Sequence, residues 1–408
     1  MIKNKQKLIL MVILLITLTI RLIFVYTTPQ GALPKERDGV GYHLTAVRLL
    51  ETGKFAYGGY GELKPNAYVT PGYPLFLAGM YSIFGANANG LKAVAYTQAV
   101  LSVATLFLMF LLAQRLLGYK AGILAIILAA IYPPFTWANS YILTEVVFTF
   151  FLMCFVFLMV LGLREKKAWI FFLSGLALGV ASIIRPTPAP YIAVVFVLIF
   201  ANNRPIKPKL FVSAAVLIVG FLLIMSPWWL RNFELYHRFV PLSTEGGNPF
   251  LTGVHPRVQG YLETFNSLPS AADEFQQNQL WYQKGKEIIL QQLKSNPIGY
   301  VRWFTVEKLA LLWGPIWNEG KPIKESLITP WSMLHLPIVL LGWLFVLKEI
   351  LAKRNFEITL LVLFYSFIHM VYLPLPRYGF PLMPLMIVCA AVFIANLHTV
   401  KHTIKNEH

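Results

Sequence analysis

Apolar runs of roughly twenty residues recur along this chain, beginning with LILMVILLITLTI at Leu8. Each such run is long enough to cross a hydrocarbon core of roughly 30 Å. Inside lipid every backbone N–H and C=O must find a partner within the protein, so only helices or closed barrels can span. The runs lack the two-residue alternation of barrel strands, which leaves helices. Composition agrees: 57% of the 408 residues are hydrophobic, against about 45–50% in a soluble domain. The chain reads as an all-α integral membrane protein, a multi-span helical bundle with juxtamembrane helices on its outer side.

The formal charge of +17 invites a nucleic-acid partner, but its distribution argues for none. Short loops at 1–7, 115–120, 164–167, 202–209, 348–357 and 399–408 hold 16 Lys and Arg against 4 Asp and Glu. Most of the surplus therefore sits in short loops on one side, which is the positive-inside pattern of cytoplasmic loops. Both termini are then expected in the cytoplasm. The N-terminus begins like a signal peptide, yet Arg21 is followed by LIFVY and no small-residue cleavage site. It reads as a retained first span at about 8–27. Cys154 and Cys389 lie inside apolar runs, so neither a disulfide framework nor a Cys metal site is expected.

The charge pattern fits ten spans, at about 8–27, 91–114, 120–138, 141–163, 168–184, 188–201, 210–231, 330–347, 357–374 and 380–398. Two apolar segments fit poorly. PGYPLFLAGMYSIFG (71–85) is short and bracketed by proline, and YVRWFTVEKLALLWGPIW (300–317) is aromatic and interrupted by charge. Both read as juxtamembrane, since Trp and Tyr favour the interface. The result is one polytopic domain with two sizeable outer loops, 28–90 and 232–329. In the second loop, Ser270 and Asp273 start a helix whose stripe is Trp281, Gly285, Ile288, Ile289 and Leu293, with Pro297 after its end. Such a helix can lie on the membrane, cover a site or pack on its own domain. No low-complexity segment, short repeat or soluble C-terminal domain is evident.

This topology brings charge to one face. The first outer loop contributes Glu36, Asp38 and Tyr42, and the turn YPPFTWANSYILTE contributes Glu145. IIRPTPAP, SPWWLRN and LPLPRYGFP contribute Arg185, Arg231 and Arg377. Charge near lipid is costly and marks function, although arginines also snorkel to headgroups and Glu145 could serve its own helix start. Lys64 and Tyr73 flank a Pro-rich entry to the 71–85 helix. His43 and His255 lack metal-ligand spacing and read as structural. Outer arginines run against the positive-inside bias, and a phosphate would explain them, because guanidinium forks bind phosphate oxygens in pairs. A phosphate on a long apolar chain in the outer leaflet is a polyprenyl phosphate. A carboxylate beside it suits proton abstraction from an acceptor hydroxyl.

These residues resemble the GT-C membrane glycosyltransferases, in particular the bacterial branch related to protein O-mannosyltransferases and the lipid A aminoarabinose transferase. Asp38, Tyr42, Ala46, Leu49 and Gly53 look like that branch's first-loop motif, D-x(3)-Y-x(3)-A-x(2)-L-x(3)-G. TPGYPLFLAG, SYILTE, IIRPT, PWWLRN with VPLSTEGGNPFLTG, SNPIGYVRWFTVEKLALLW and PRYGFPLMPL resemble its further blocks in order. The resemblance implies an inverting transfer from a polyprenyl-phosphate sugar to a lipid-linked, glycan or protein acceptor of the cell envelope. The setting would be the plasma (inner) membrane of a bacterial-type cell, with the active site on the outer face. Asp38 would be the base, and Arg185, Arg231 and Arg377 would hold the donor phosphate. Glu36, Tyr42, Lys64, Tyr73 and Glu145 would support them. Many relatives carry Asp-Glu where this chain has Asp38-Gly39, so a divalent cation, and any metal ligand, stays unknown from sequence.

Two other classes compete. A transporter or flippase of lipid-linked sugars would show internal repeats and charged or broken helices near mid-membrane, whereas here Arg21 is the chief charge within a span. A non-catalytic envelope scaffold would tolerate replacement of Asp38 or Arg377.

Overall fold

The computed structural model describes residues 4–29, 34, 37–61, 64–201, 208–319 and 325–406, without the side chains of 325–332 and 398–406. Glu36, most of the 202–209 loop and the extreme ends of the chain lie outside the described residues. Among the described residues the elements are helices and no strand occurs. They are α1 (Asn4–Thr27), α2 (Arg37–Thr52), α3 (Gly72–Phe84), α4 (Ala88–Leu117), α5 (Tyr119–Ala130) and α6 (Glu145–Glu165). Next come α7 (Ala168–Ile184), α8 (Tyr191–Ala201), α9 (Pro208–Tyr236), α10 (Gly247–Val254), α11 (Tyr261–Ser267) and α12 (Glu274–Ser295). The chain ends with α13 (Pro297–Arg302), α14 (Lys308–Trp313), α15 (Glu325–Ala352), α16 (Phe356–Val371) and α17 (Met383–Asn406). A π-helical turn at Trp303–Glu307 joins α13 to α14.

Among the described residues six helices are long and apolar enough to cross a membrane, and a seventh span is available if a bent pair counts as one. This makes the chain a multi-pass membrane protein, with fewer full-length spans than the ten expected. The bent pair is α5 followed by Pro134–Ser140, turned by 68°. Its cause is the Pro133-Pro134 step, where proline removes an N–H and blocks the preceding turn. The other three expected spans are occupied by α7, α8 and α16, of 17, 11 and 16 residues. Prolines at 186, 188 and 190 delay the start of α8. At 1.5 Å per residue it covers about 16 Å, roughly half a hydrocarbon core.

Packing is tightest where glycine removes the side chain. A Cβ on Gly175 of α7 would lie 2.0 Å from the Leu217 carbonyl oxygen of α9, and one on Gly220 would lie 2.4 Å from that of Phe172. Small residues that let backbones touch are the usual device between helices in lipid, where no hydrophobic force separates protein from solvent. Near its C-terminus α7 meets the entry to α3: the Thr70 hydroxyl donates to the Ile184 carbonyl at 3.1 Å. The segment leading into α3 is thereby fastened to the end of a core helix.

The helix expected from Ser270 and Asp273 is α12. Asp273 caps it by accepting from the Gln276 N–H at 2.8 Å. Trp281 and Gly285 of the expected stripe are buried, against α10, while Leu293 is exposed. Of the three uses open to this helix, packing on its own domain accounts for the buried part of its face.

Candidate active site

The first-loop motif is a helix written in sequence. Asp38, Tyr42 and Ala46 recur every four residues and so share one face of α2. Gly53 ends that helix in the left-handed region (φ +68°), where glycine carries no Cβ penalty. Asp38 lies in the first turn, where the helix dipole favours an anion. Beyond Gly53 the chain loops back, and Arg48 holds it by donating to the Ala56 carbonyl at 3.1 Å. Asn66 fixes the return, exchanging hydrogen bonds with the backbone of Tyr57 at 2.9 and 3.1 Å.

Four charged residues from four separate segments meet here. Glu145 stands at the N-terminus of α6, Arg185 at the C-terminus of α7, and Arg377 in the Pro376–Gly379 turn before α17. Arg185 Nη2 lies 2.8 Å from Glu145 Oε1. Arg377 binds the same Glu145 carboxylate through Nε and reaches Asp38 Oδ2 through Nη1 at 2.7 Å. Glu145 is thus clamped between two guanidinium groups, and Arg377 bridges the two acids. A buried carboxylate is tolerated only when paired and hydrogen-bonded. The Asp38 side chain differs, being 49% exposed against 1% for Glu145. The Arg185 guanidinium also lies over the Tyr378 ring, 5.2 Å from its centroid.

This network borders a cavity of about 420 Å³. Its wall includes Arg185, Arg377, His369, Tyr378, Tyr57, Glu245, Gly246 and Tyr282, with Asp38 and Tyr42 also on the lining. The Tyr42 ring packs between Tyr57 and Tyr73, with centroids 5.5 and 5.3 Å away. Burial keeps the Tyr42 and Tyr57 hydroxyls protonated well above the usual tyrosine range, with Asp38 adding to the effect.

The remaining sequence candidates are used elsewhere. Arg231 is not on the cavity wall. Its guanidinium donates to the Asn66 and Phe55 carbonyls at 2.9 Å each and to Asn232 Oδ1 at 2.8 Å, and it stacks over Trp228. It ties the first loop to the end of α9. The expectation that it would join the other arginines at a phosphate meets a physical obstacle, because neutral carbonyls already hold its fork. Tyr73 is buried and donates to Gln98 Oε1 at 3.1 Å. Gln98 in turn donates to the Asn139 and Tyr141 carbonyls, in the segment that leads to Glu145. Lys64 is exposed and outside the cavity lining. His43, read as structural, pairs through Nδ1 with the Tyr81 hydroxyl at 2.9 Å. Both cysteines are free. Among the described residues no group of three or more His, Cys, Asp and Glu side chains is arranged to hold a metal ion.

Two acids escaped the sequence reading. Glu274 gathers three segments: it accepts from the Thr244 hydroxyl at 2.5 Å, from the Ala67 N–H at 3.3 Å and from the Tyr236 hydroxyl. Glu245 lines the cavity. Burial and nearby Asp38 push its carboxyl up to about 8, with a hydrogen bond from Tyr68 and the charge of Arg377 acting in the opposite direction. The signals were present but indirect: Glu274 opens the helix expected after Asp273, and Glu245 stands inside the block VPLSTEGGNPFLTG. The tryptophans of SPWWLRN also have a structural use: Trp228 and Trp229 donate to the Leu242 and Pro241 carbonyls at 2.7 Å each. They anchor the loop that carries Glu245.

Comparison with known proteins agrees with this architecture. Residues 66–230 match the family described as dolichyl-phosphate-mannose-protein mannosyltransferase. An uncharacterized protein of Aquifex aeolicus (strain VF5) is 28% identical over 233 residues, which is 55% of this chain and 44% of the relative. Among solved structures, the Archaeoglobus fulgidus oligosaccharyltransferase AglB in complex with an inhibitory peptide and a dolichol-phosphate aligns with a TM-score of 0.60 at 13% identity. That alignment covers 100% of this chain and 52% of AglB. The apo form of the same oligosaccharyltransferase gives a TM-score of 0.60 over 97% of this chain and 51% of the other. The chain thus spans about half the length of the relatives it matches. The resemblance drawn from the ordered motifs is borne out, and the fold is of the GT-C kind found in membrane glycosyltransferases.

Proposed function

We propose that this protein is a glycosyltransferase that moves one sugar from a polyprenyl-phosphate carrier to a hydroxyl of a lipid-linked glycan, other glycan or protein acceptor of the cell envelope. The observation that carries this reading is the linked network of Asp38, Arg377, Glu145 and Arg185, of which Asp38, Arg185 and Arg377 line a single cavity and Asp38 is the exposed member. The mannosyltransferase family match supports the class of reaction. The fold shared with AglB, whose complex contains a dolichol-phosphate, supports the class of donor. The basic surplus in loops at the opposite ends of the spans supports an outer-face site in a plasma membrane, with 28–90 and 232–329 as its outer loops.

In this reading the donor phosphate enters at the arginine side of the cavity and shares Arg377 with the acids. Each guanidinium it engages is loosened from a carboxylate, and Asp38 is the acid most easily released, because it has one arginine where Glu145 has two. Asp38 then takes the proton of the acceptor hydroxyl. The hydroxyl oxygen attacks the anomeric carbon from the face opposite the phosphate, the bond from that carbon to the phosphate oxygen breaks, and its electron pair leaves on the phosphate. The sugar's configuration inverts. Arg377 and Arg185 are already positioned to hold the charge that develops there, so little reorganisation is needed at the transition state.

A deletion strain compared with wild type, by mass spectrometry of lipids and envelope glycans, tests the reading. Expected are an accumulated polyprenyl-phosphate sugar and one glycan short by one residue. Purified protein that moves the lipid across liposomes without forming a glycosidic bond would instead identify a flippase.

A further inference from the structure

Glu245 is a carboxyl for which the charge network supplies no cation: among the described residues no arginine or lysine forms an ion pair with it. Its backbone is nevertheless held from several directions. The Thr244 N–H donates to the Ala67 carbonyl at 2.9 Å, and the Asn248 N–H donates to the Glu245 carbonyl at 3.0 Å. The Gly247 N–H donates to Asn278 Oδ1 at 2.6 Å, and the Thr244 hydroxyl is held by Glu274. A segment pinned in this way presents its side chain at a fixed place, as a binding group requires. The Tyr68 hydroxyl acts on the Glu245 carboxyl in favour of its charged form and itself receives Asn248 Nδ2 at 3.4 Å. Beside it, the Tyr57 and Tyr68 rings stack at 5.8 Å with 9° between their planes, and Tyr57 forms part of the cavity wall.

Resting on the glycosyltransferase reading, we propose that Glu245 reads the transferred sugar, its carboxyl hydrogen-bonding a hydroxyl of a neutral hexose or pentose on the polyprenyl-phosphate donor. The arginines serve the phosphate, Asp38 faces the acceptor, and the sugar between them needs a group that both gives and accepts a hydrogen bond. A neutral carboxyl does both, and an aromatic face beside it suits the apolar side of a sugar ring. An ionised acid here would repel the donor phosphate, and burial together with Asp38 raises the Glu245 carboxyl to about 8, so that it is mostly protonated only below that pH. The titratable and charged groups that act on it are Asp38, Tyr57, Tyr68, Arg377 and Tyr378, and Tyr42, Arg185, Tyr282, His369 and Tyr372 share its cavity. None of these is changed by Glu245→Gln, which keeps the hydrogen bond and removes the titration.

The test is equilibrium binding to the full chain in nanodiscs, using undecaprenyl phosphate alone and the same lipid bearing one neutral hexose or pentose from a small panel. Wild type is expected to prefer at least one glycosylated lipid by about tenfold, the size of one good hydrogen bond at 1.4 kcal/mol per decade. Glu245→Ala is expected to abolish that preference while leaving affinity for undecaprenyl phosphate within about twofold. Glu245→Gln is expected to keep most of it. In wild type the preference falls as pH rises through about 8, and in Glu245→Gln it does not. A Glu245→Ala protein that binds undecaprenyl phosphate and retains the full preference overturns the inference, as does a wild type that binds both lipids equally. A wild type that binds neither lipid overturns the donor reading on which the inference rests.

Discussion

Arg377 and Arg231 make the most instructive comparison in this molecule. Both arginines sit in motifs at helix ends, PRYG and PWWLRN, and nothing in the local sequence separates them. Arg377 meets two carboxylates at a cavity. Arg231 meets two main-chain carbonyls and an asparagine at the junction of the first loop and α9. An arginine among acids can trade a partner for an incoming anion. One whose fork is filled by backbone carbonyls serves as a clamp, because withdrawing it would leave those acceptors unsatisfied. The identity of the partners, more than the motif, separates the two arginines.

The comparison can be broken most sharply at the cavity. Asp38→Asn keeps the shape and removes the proposed base, so transfer is expected to fall by roughly 10²- to 10⁴-fold, while the protein still inserts and melts normally. Assay of sugar transfer in membranes of matched expression checks this, and wild-type turnover would remove Asp38 from the reaction. Arg377→Ala is expected to cost on the order of 10²- to 10³-fold in kcat. It also leaves Glu145 with one arginine, so its melting temperature is expected to fall as well. Arg231→Ala should behave in the opposite sense: thermal unfolding in detergent is expected to show a loss of about 2 kcal/mol, with the kcat of the folded fraction preserved. A kcat collapse without loss of stability would put Arg231 at the substrate after all.

Smaller effects sharpen the same contrast. Asp273→Ala removes the cap of α12 and is expected to cost about 1 kcal/mol of stability, without changing transfer. Glu245 gives a pH signature. Its carboxyl is raised in the folded state, so the folded protein binds more protons than the unfolded chain between the ordinary carboxylate range and about pH 8. Stability therefore falls as pH rises through that window and levels off above it. Glu245→Gln should reduce the slope, and melting curves across pH 5–9 read it directly.

Much of the fold was legible because lipid leaves a chain few choices. Apolar length, basic loops and the D-x(3)-Y-x(3)-A-x(2)-L-x(3)-G spacing each express a local rule: span length, charge retention, or helical period with a glycine stop. Span lengths were less legible where proline intervened, as at Pro133-Pro134 and Pro186 to Pro190, because hydropathy counts residues and does not register where the helix breaks. In the site, Asp38, Glu145, Arg185 and Arg377 were all nameable from their places at span ends. Glu245 and Glu274 were not, because neither the block around Glu245 nor the helix start at Glu274 records which segments their side chains meet.

The sequence by itself determined that this chain is an all-helical membrane protein and which span ends carry charge, since both follow from composition and spacing along the chain. Only the tertiary structure decided which charges meet. Whether Arg377 finds acids and Arg231 finds carbonyls, and whether Glu245 faces a cavity while Glu274 closes a clamp, depends on contacts between segments up to 339 positions apart. Those pairings are fixed by how the helices pack, which no local pattern records.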